Sequence, residues 1–219
     1  MLLVETRSQC LQEVFAFTLL KSNITSYFEA GANNGIELSN TYAIMSTHRA
    51  NGILVEANPS LYQDLCKNRP RDATFNLALS AHTGLFLEFN PCEGQTLYGS
   101  LVVDKKVGAS LSPQEIVQVQ SSTILDILDS ISIEYVQYLS LDIEGGELDV
   151  LQSLVKPFFD VGFIEVNTRL ASKACQAELE RIGYKCYKYP FAKNELLAVN
   201  PKAELNIDLL KIMDNLFSL

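Results

Sequence analysis

YFEAGANNG, residues 27–35, sets an acid, Glu29, near the end of a short apolar run and then turns between two glycines, Gly31 and Gly35. Glycine takes unusual backbone angles and lets the main chain come close to a ligand. A helix that starts after such a turn offers free N–H groups. The stretch reads as a plain connecting loop or as the floor under a small, partly cationic ligand. Its spacing is GxxxG rather than the GxGxxG of a dinucleotide site, so the turn alone decides little. The next strand adds weight. GILVEA, residues 52–57, closes in Glu56 and is followed by Asn58-Pro59. Glu56 stands about 20 residues beyond Gly35, the separation at which an acid on the second strand end meets a ribose. A carboxylate offers two acceptor oxygens to a vicinal diol. The pair points to an adenosine-containing ligand, against the plainer reading of Glu56 as a turn cap.

Outward from this unit the chain alternates. Helices are expected over 9–20, 37–47, 60–66 (capped by Ser60), 123–130 (capped by Thr123), 147–154, 173–182 and 204–216. Strands are expected over 27–30, 52–57, 73–79, 136–142 and 161–166. Shorter strands are expected near 85–89, 101–103 and 116–119, and an antiparallel pair over 184–189 and 195–199. Leu205, Leu209, Ile212 and Leu216 share one face of the last helix, which reads as core packing. Such alternation gives a mostly parallel sheet with helices on both faces. We expect one α/β domain over 1–219: a helical segment over 1–26, a core over 27–200 and a helix over 201–219.

In sheets of this class the ligand lies beyond the carboxyl ends of the strands. The third strand ends in NLALS, where alternation turns Asn76 and Ala78, or Leu77 and Leu79, to one face. Apolar walls with one amide suit an adenine ring. His82 reads as an exposed loop histidine, and His48, ahead of the second strand, as structural. The fourth strand ends in LDIEGGE, residues 141–147, with three acids around two glycines. Such a cluster can orient a substrate, remove a proton or hold a divalent metal. Acids also suit helix starts, which accounts for Glu147 in part and for Asp142 poorly. Glu165 ends the fifth strand at the same sheet edge.

Composition sets the limits. The chain has 219 residues, 47% hydrophobic and 20% charged, enough for a proper core. A net charge of −9 argues against a broad nucleic-acid-binding face. Five cysteines without CxxC spacing make a zinc site or disulfide framework unexpected and suit a reducing, cytoplasmic setting. Residues 23–25 match a glycosylation sequon, a tripeptide common by chance. The best apolar run, VFAFTLL over 14–20, is too short to span a bilayer. Residues 88–113, with Gly94, Gly99, Gly108 and Tyr98, read equally as an acceptor-binding lid or a variable insertion.

FEAGANNG, ILVEANP, NLALS with Gly84 after it, STILDIL, LSLDIEGGELDVL and FIEVN, in this order, resemble the FkbM family of S-adenosylmethionine-dependent methyltransferases. The likeness spans residues 27–167. It departs at Ser140, where a lysine is common, at Gly146, where alanine is usual, and at Glu29, where aspartate is more usual. The resemblance implies a Rossmann-like class I methyltransferase fold, a seven-stranded sheet with the last strand inserted antiparallel. It implies that Glu29, Gly31, Ala32, Asn33 and Gly35 cradle the methionine part of S-adenosyl-L-methionine. Glu56 would hold the ribose with Ala57 and Asn58 beside it, and Asn76, Ala78 and Leu79 would flank the adenine. It also implies O-methylation of a small-molecule or glycan acceptor. From strand-end position we expect Asp142 as base, cofactor contact or metal ligand, Glu165 as second candidate, and Glu144 shaping the acceptor pocket. A magnesium ion bridging Asp142 and Glu165 is a further expectation. A nicotinamide-dependent oxidoreductase and a non-catalytic binding module are the alternatives.

Overall fold

The computed structural model describes residues 5–47, 50–91, 100–101 and 116–217. Its strands are β1 (Ser26–Ala30), β2 (Asn51–Val55), β3 (Ala73–Phe75), β4 (Ala78–Leu79), β5 (Phe86–Asn90), β6 (Ser100–Leu101), β7 (Val117–Ser122), β8 (Val136–Leu141), β9 (Phe159–Glu165), β10 (Lys185–Lys188) and β11 (Glu195–Val199). Its helices are α1 (Gln12–Leu19), α2 (Tyr42–Ser46), α3 (Pro59–Asn68), α4 (Ile124–Ser130), α5 (Glu147–Gln152), α6 (Arg169–Arg181) and α7 (Ile207–Leu216). Seven strands form the main sheet in the order β3-β2-β1-β8-β9-β11-β10. Neighbours run parallel except at β11, which lies antiparallel between β9 and β10. This is the class I methyltransferase sheet expected from the sequence. A smaller sheet, β4-β7-β5-β6, carries the excursion between β3 and α4.

Strand alternation divides the core into two layers. Phe28, Leu139, Leu141, Ile164 and Leu196 face one side, packed with residues of α4, α5 and α6. Tyr27, Tyr138, Phe163 and Leu197 face the other, packed with residues of α1, α2, α3 and α7. The second set matters for function, because Glu29, Ser140 and Glu165 lie on it by the same alternation.

That layer is organised by a buried cation. Arg69, the C-cap of α3, is 1% exposed. Its Nε donates to Asp72 at 2.7 Å, one Nη to Gly35 O and Ser39 Oγ, and the other to the Tyr27 hydroxyl and Thr41 Oγ1. Glu29 closes the network from beneath. Its carboxylate accepts from Ser39 Oγ, Thr41 Oγ1 and the Asn40 N–H. Burial pushes the Glu29 carboxyl up, against the pull of Arg69 and these donors.

Several local expectations change. The helix expected over 37–47 is confined to Tyr42–Ser46. Ser39, Asn40 and Thr41 spend their polar groups on Glu29 instead, which is how such residues compete with a helix, and Leu38 sits at φ 56°. α1 begins only at Gln12, after Leu11 at φ 61°. The strand expected over 73–79 breaks into β3 and β4, because the Asn76 amide turns back to the carbonyls of Glu56 and Ala57. Asn58, not Ser60, caps α3, its side chain accepting from the Ser60 N–H. In α7, Met213 is buried and Leu209 and Leu210 pack inward, whereas Ile212 and Leu216 are exposed. Thr123 caps α4 as expected. His48 and the positions of Gly94, Gly99, Gly108 and Tyr98 lie outside the described residues.

Replacing Arg69 with alanine leaves Glu29 and Asp72 buried without their cation. Breaking such a pair costs about 3–5 kcal/mol. Urea unfolding of Arg69→Ala is expected to show a loss of that size.

Candidate active site

A cleft runs along the carboxyl ends of β2, β1 and β8. Gly31 makes the central turn possible. It sits at φ 74°, and a Cβ there would lie 1.8 Å from the Asp142 carbonyl oxygen. Only glycine lets the β1 and β8 ends approach this closely.

On the β2 side stands Glu56, 7% exposed and facing the cleft. Its two oxygens accept from the N–H groups of Asn33 at 2.8 Å and Asn58 at 2.7 Å. Each oxygen keeps a second lone pair for a ligand. Burial raises the Glu56 carboxyl above its ordinary range, and these N–H groups oppose the rise. Asn33, at φ 51°, is turned so that its N–H meets the carboxylate. Beyond Glu56, Ala57, Leu61, Leu77, Ala78, Leu79 and Phe89 form an apolar wall. The small sheet supplies Phe89 and presses it on Ala78 and Val119.

On the β8 side the loop 142–147 presents Asp142, Ile143 and Glu144 to the cleft. Glu147 shapes it, its Oε1 accepting from the N–H groups of Ile143 and Gly145. Glu144 is carried at φ 56°. Strand register lines up further acids. Leu141 pairs with Ile164, so Asp142 follows level with Glu165, and Glu165 pairs with Glu195. Ligand oxygens of Asp142, Glu144 and Glu165 all lie within 4.8 Å of one another. Burial first, then the hydrogen bond and charge of Glu165, hold the Asp142 carboxyl well above the usual range. Burial and Glu165 also raise Glu144. Glu195 accepts from Gln12 on one oxygen, while the other is buried and accepts from no described group. Burial pushes it up to about 7.

The cleft thus gathers Gly31, Asn33, Glu56, Ala57, Asn58, Ala78, Leu79, Asp142 and Glu144 from the residues singled out in the sequence. Five others sit elsewhere. The Glu29 carboxylate is consumed inside the fold, so it supports the turn from below and does not line the cleft. Ala32 is buried in the core. Gly35 faces Arg69 and Leu65. Asn76 ties down the β2 end, and Leu77 takes its place on the wall. Glu165 stands behind Asp142, held by Asn194. Sequence reasoning missed Asn40, Leu38, Leu61, Phe89 and Gln9, which also line the cleft. The SNT run over 39–41, too polar for the helix assigned to it, was the available signal for Asn40.

A family model described as methyltransferase FkbM domain matches residues 29–186. No curated protein matches the chain in sequence. Among solved structures it is similar to the fibrillarin pre-rRNA processing protein of Methanococcus jannaschii, with 14% identity, 88% of this chain and 74% of that chain covered, and a TM-score of 0.49. It is similar to M. capricolum TrmK in complex with S-adenosyl-homocysteine, with 11% identity, coverage of 90% and 70%, and a TM-score of 0.48. It is also similar to a precorrin-6y C5,15-methyltransferase of Geobacter metallireducens, with 11% identity, coverage of 90% and 94%, and a TM-score of 0.46. Likenesses this distant say nothing about the acceptor.

The acid row makes stability depend on pH. A Glu195 carboxyl at about 7 when folded, against an ordinary 4.5, binds its proton more tightly in the native state. Its contribution is full below pH 4.5 and is lost as pH rises to about 7, a change on the order of 3 kcal/mol. Glu195→Gln is therefore expected to melt several degrees above the parent at pH 8, at about 2–4 °C per kcal/mol for a chain this size. The gap should close as pH approaches 4.

Proposed function

The chain belongs to the methyltransferase FkbM domain family, and we propose that it transfers a methyl group from S-adenosyl-L-methionine to a hydroxyl oxygen of a sugar, glycan or related natural product. The observation that carries this reading is a single cleft with a diol-type carboxylate, Glu56, on one side of β1 and an acid pair, Asp142 and Glu144, on the other. The fit to the cofactor is chemical. Glu56 has acceptor capacity for the ribose hydroxyls, the wall of Leu77, Ala78, Leu79 and Phe89 suits a flat base, and the acids suit a sulfonium. When bound, the cofactor supplies a methyl group on a cationic sulfur leaving group.

The chain's own work is to orient the acceptor and take its proton. A sugar hydroxyl is a weak nucleophile at neutral pH, so a base at the β8 end adds rate. Asp142 is our choice. Its raised proton affinity makes it a stronger base once ionised, and Glu165 behind it is the second candidate. Glu144 shapes the acceptor side. The described residues lining the cleft include Glu37, Glu56, Asp142 and Glu144 and no Lys, Arg or His. That lining supports a neutral acceptor over nucleic acid or another polyanion. Among the described residues no helix is long and apolar enough to cross a membrane. The free thiols of Cys10, Cys66, Cys175 and Cys186 support a reducing, cytoplasmic setting. A second reading has Asp142, Glu144 and Glu165 hold magnesium, favoured by their spacing. Activity lost in EDTA and restored by magnesium would select it; indifference to EDTA would exclude it.

Calorimetric titration with S-adenosylmethionine is expected to give binding that Glu56→Ala weakens about 10- to 100-fold, the worth of a hydrogen-bonded carboxylate. Binding of NADH instead would overturn the reading. With an acceptor in hand, turnover should rise with pH through the raised Asp142 value, since only the ionised carboxyl accepts a proton. Asp142→Asn should lower kcat by about 100-fold or more. Full turnover in that variant would remove Asp142 from the role.

A further inference from the structure

Among the described residues that line the cleft, Asn40 carries a buried side-chain atom with no hydrogen-bond partner. It is 8% exposed and lines the cleft together with Gly31 and Asp142. Two anchors fix it. Its backbone N–H donates to Glu29 Oε1 at 2.6 Å, and its Nδ2 donates to Ser140 Oγ at 3.0 Å. The remaining atom, Oδ1, is buried and accepts from no described group. Buried polar atoms in folded proteins almost always have a partner, and leaving one unmade is costly. The chain therefore holds, in a residue that lines its own ligand cleft, a fixed acceptor that no described group engages.

The surroundings say what kind of donor belongs there. Arg69 balances Glu29 beneath the Asn40 backbone, whereas Asp142 and Glu144 share the cleft with Asn40 and its described lining holds no Lys, Arg or His. The local potential is negative, so a cationic donor is favoured over a neutral one and an anion is disfavoured. Asn40 also sits on the β8 side of Gly31, through Ser140, while Glu56 and the apolar wall occupy the β2 side. A ligand whose ribose meets Glu56 turns its other end toward Asn40.

We propose that Asn40 Oδ1 accepts a hydrogen bond from the α-ammonium group of the methyl donor, so that Asn40 is a cofactor-binding residue for the methionine end. This rests on the methyl-donor reading above. It replaces Glu29, which is 2% exposed and does not line the cleft, with a cleft residue that has acceptor capacity to spare.

The test is calorimetric titration of the full chain and of Asn40→Ala and Asn40→Asp. The probes are S-adenosylhomocysteine, which carries the ammonium, and 5′-methylthioadenosine, which lacks the whole amino-acid end. Asn40→Ala should weaken S-adenosylhomocysteine about tenfold or more, as for a hydrogen bond to a charged group. It should leave methylthioadenosine within about twofold of the parent, inside the range of a surface change. Asn40→Asp keeps the shape and an acceptor, and the Ser140 hydroxyl can turn to donate to it. It should therefore hold S-adenosylhomocysteine near the parent affinity, and it carries the test if the alanine variant does not fold. Equal weakening of both probes in Asn40→Ala, or loss of binding in Asn40→Asp, would overturn the proposal, the latter by showing that the partner is an anion. A parent chain that binds neither probe would overturn the methyl-donor reading itself. Binding of both probes with no effect of either substitution would overturn only the role of Asn40.

Discussion

The guanidinium of Arg69 is the constraint on which the site rests. A buried charge is tolerated only when it is paired and fully hydrogen-bonded. Arg69 meets that demand with Asp72, Gly35 O, Ser39, Tyr27 and Thr41. These partners come from β1, the glycine turn, the segment before α2 and the loop before β3. One side chain therefore ties the stretch 27–41 to the loop before β3 at several points. Burial by itself would weaken the cation, but Glu29, Tyr27 and Asp72 hold it above its ordinary value. Glu29 is thereby committed to the interior, and the Asn40 backbone is committed to Glu29. The floor of the cleft is set by satisfying a charge, and the apolar packing of the second layer follows it.

The sheet was legible because strand ends in this architecture carry strong local chemistry. Glycine turns, Glu56 after an apolar run, and the acids over 142–147 mark the carboxyl edge, and alternation supplies the order of elements. What was not legible is what one end does to another. Arg69 stands in CKNRPRD, a stretch that reads as a solvated helix end, and nothing in its spacing announces burial. Glu29 resembled a ligand contact because it precedes the turn. Its true partners, Ser39, Asn40 and Thr41, are ten to twelve residues away across a segment that periodicity assigned to a helix. Local pattern reports the backbone's preference, and here side chain to backbone bonding overrode it.

The acid row follows from the same register logic, and it has a chemical consequence. Asp142, Glu165 and Glu195 stand level on three adjacent strands, on one face, with Glu144 close by. Carboxyls this near cannot all ionise without large repulsion. The row therefore holds at least one proton across the range where ordinary carboxylates are charged, as the raised Asp142 and the Glu195 value near 7 reflect. The rise makes Asp142, once ionised, a stronger base than an isolated acid and shortens the pH range in which it is ionised. On the proposed reading, in which the site draws a proton from a weakly acidic hydroxyl, the first effect aids the reaction and the second sets its working pH.

The two sides of the cleft therefore differ in kind. At the β2 side the Asn33 and Asn58 N–H groups already engage Glu56, and the carboxylate is positioned before any ligand arrives. At the β8 side the groups are strained in charge or short of a partner: the Asp142 carboxyl is held well above its ordinary range, and Asn40 Oδ1 accepts from no described group. A preformed half binds tightly with little reorganisation. A half with unmet electrostatic demand is stabilised most by a species that brings positive charge and donors to it, and interactions that strengthen as charge develops are those that raise a rate. The division of labour between holding and reacting is thus written into which polar groups the fold has satisfied and which it has left for the ligand.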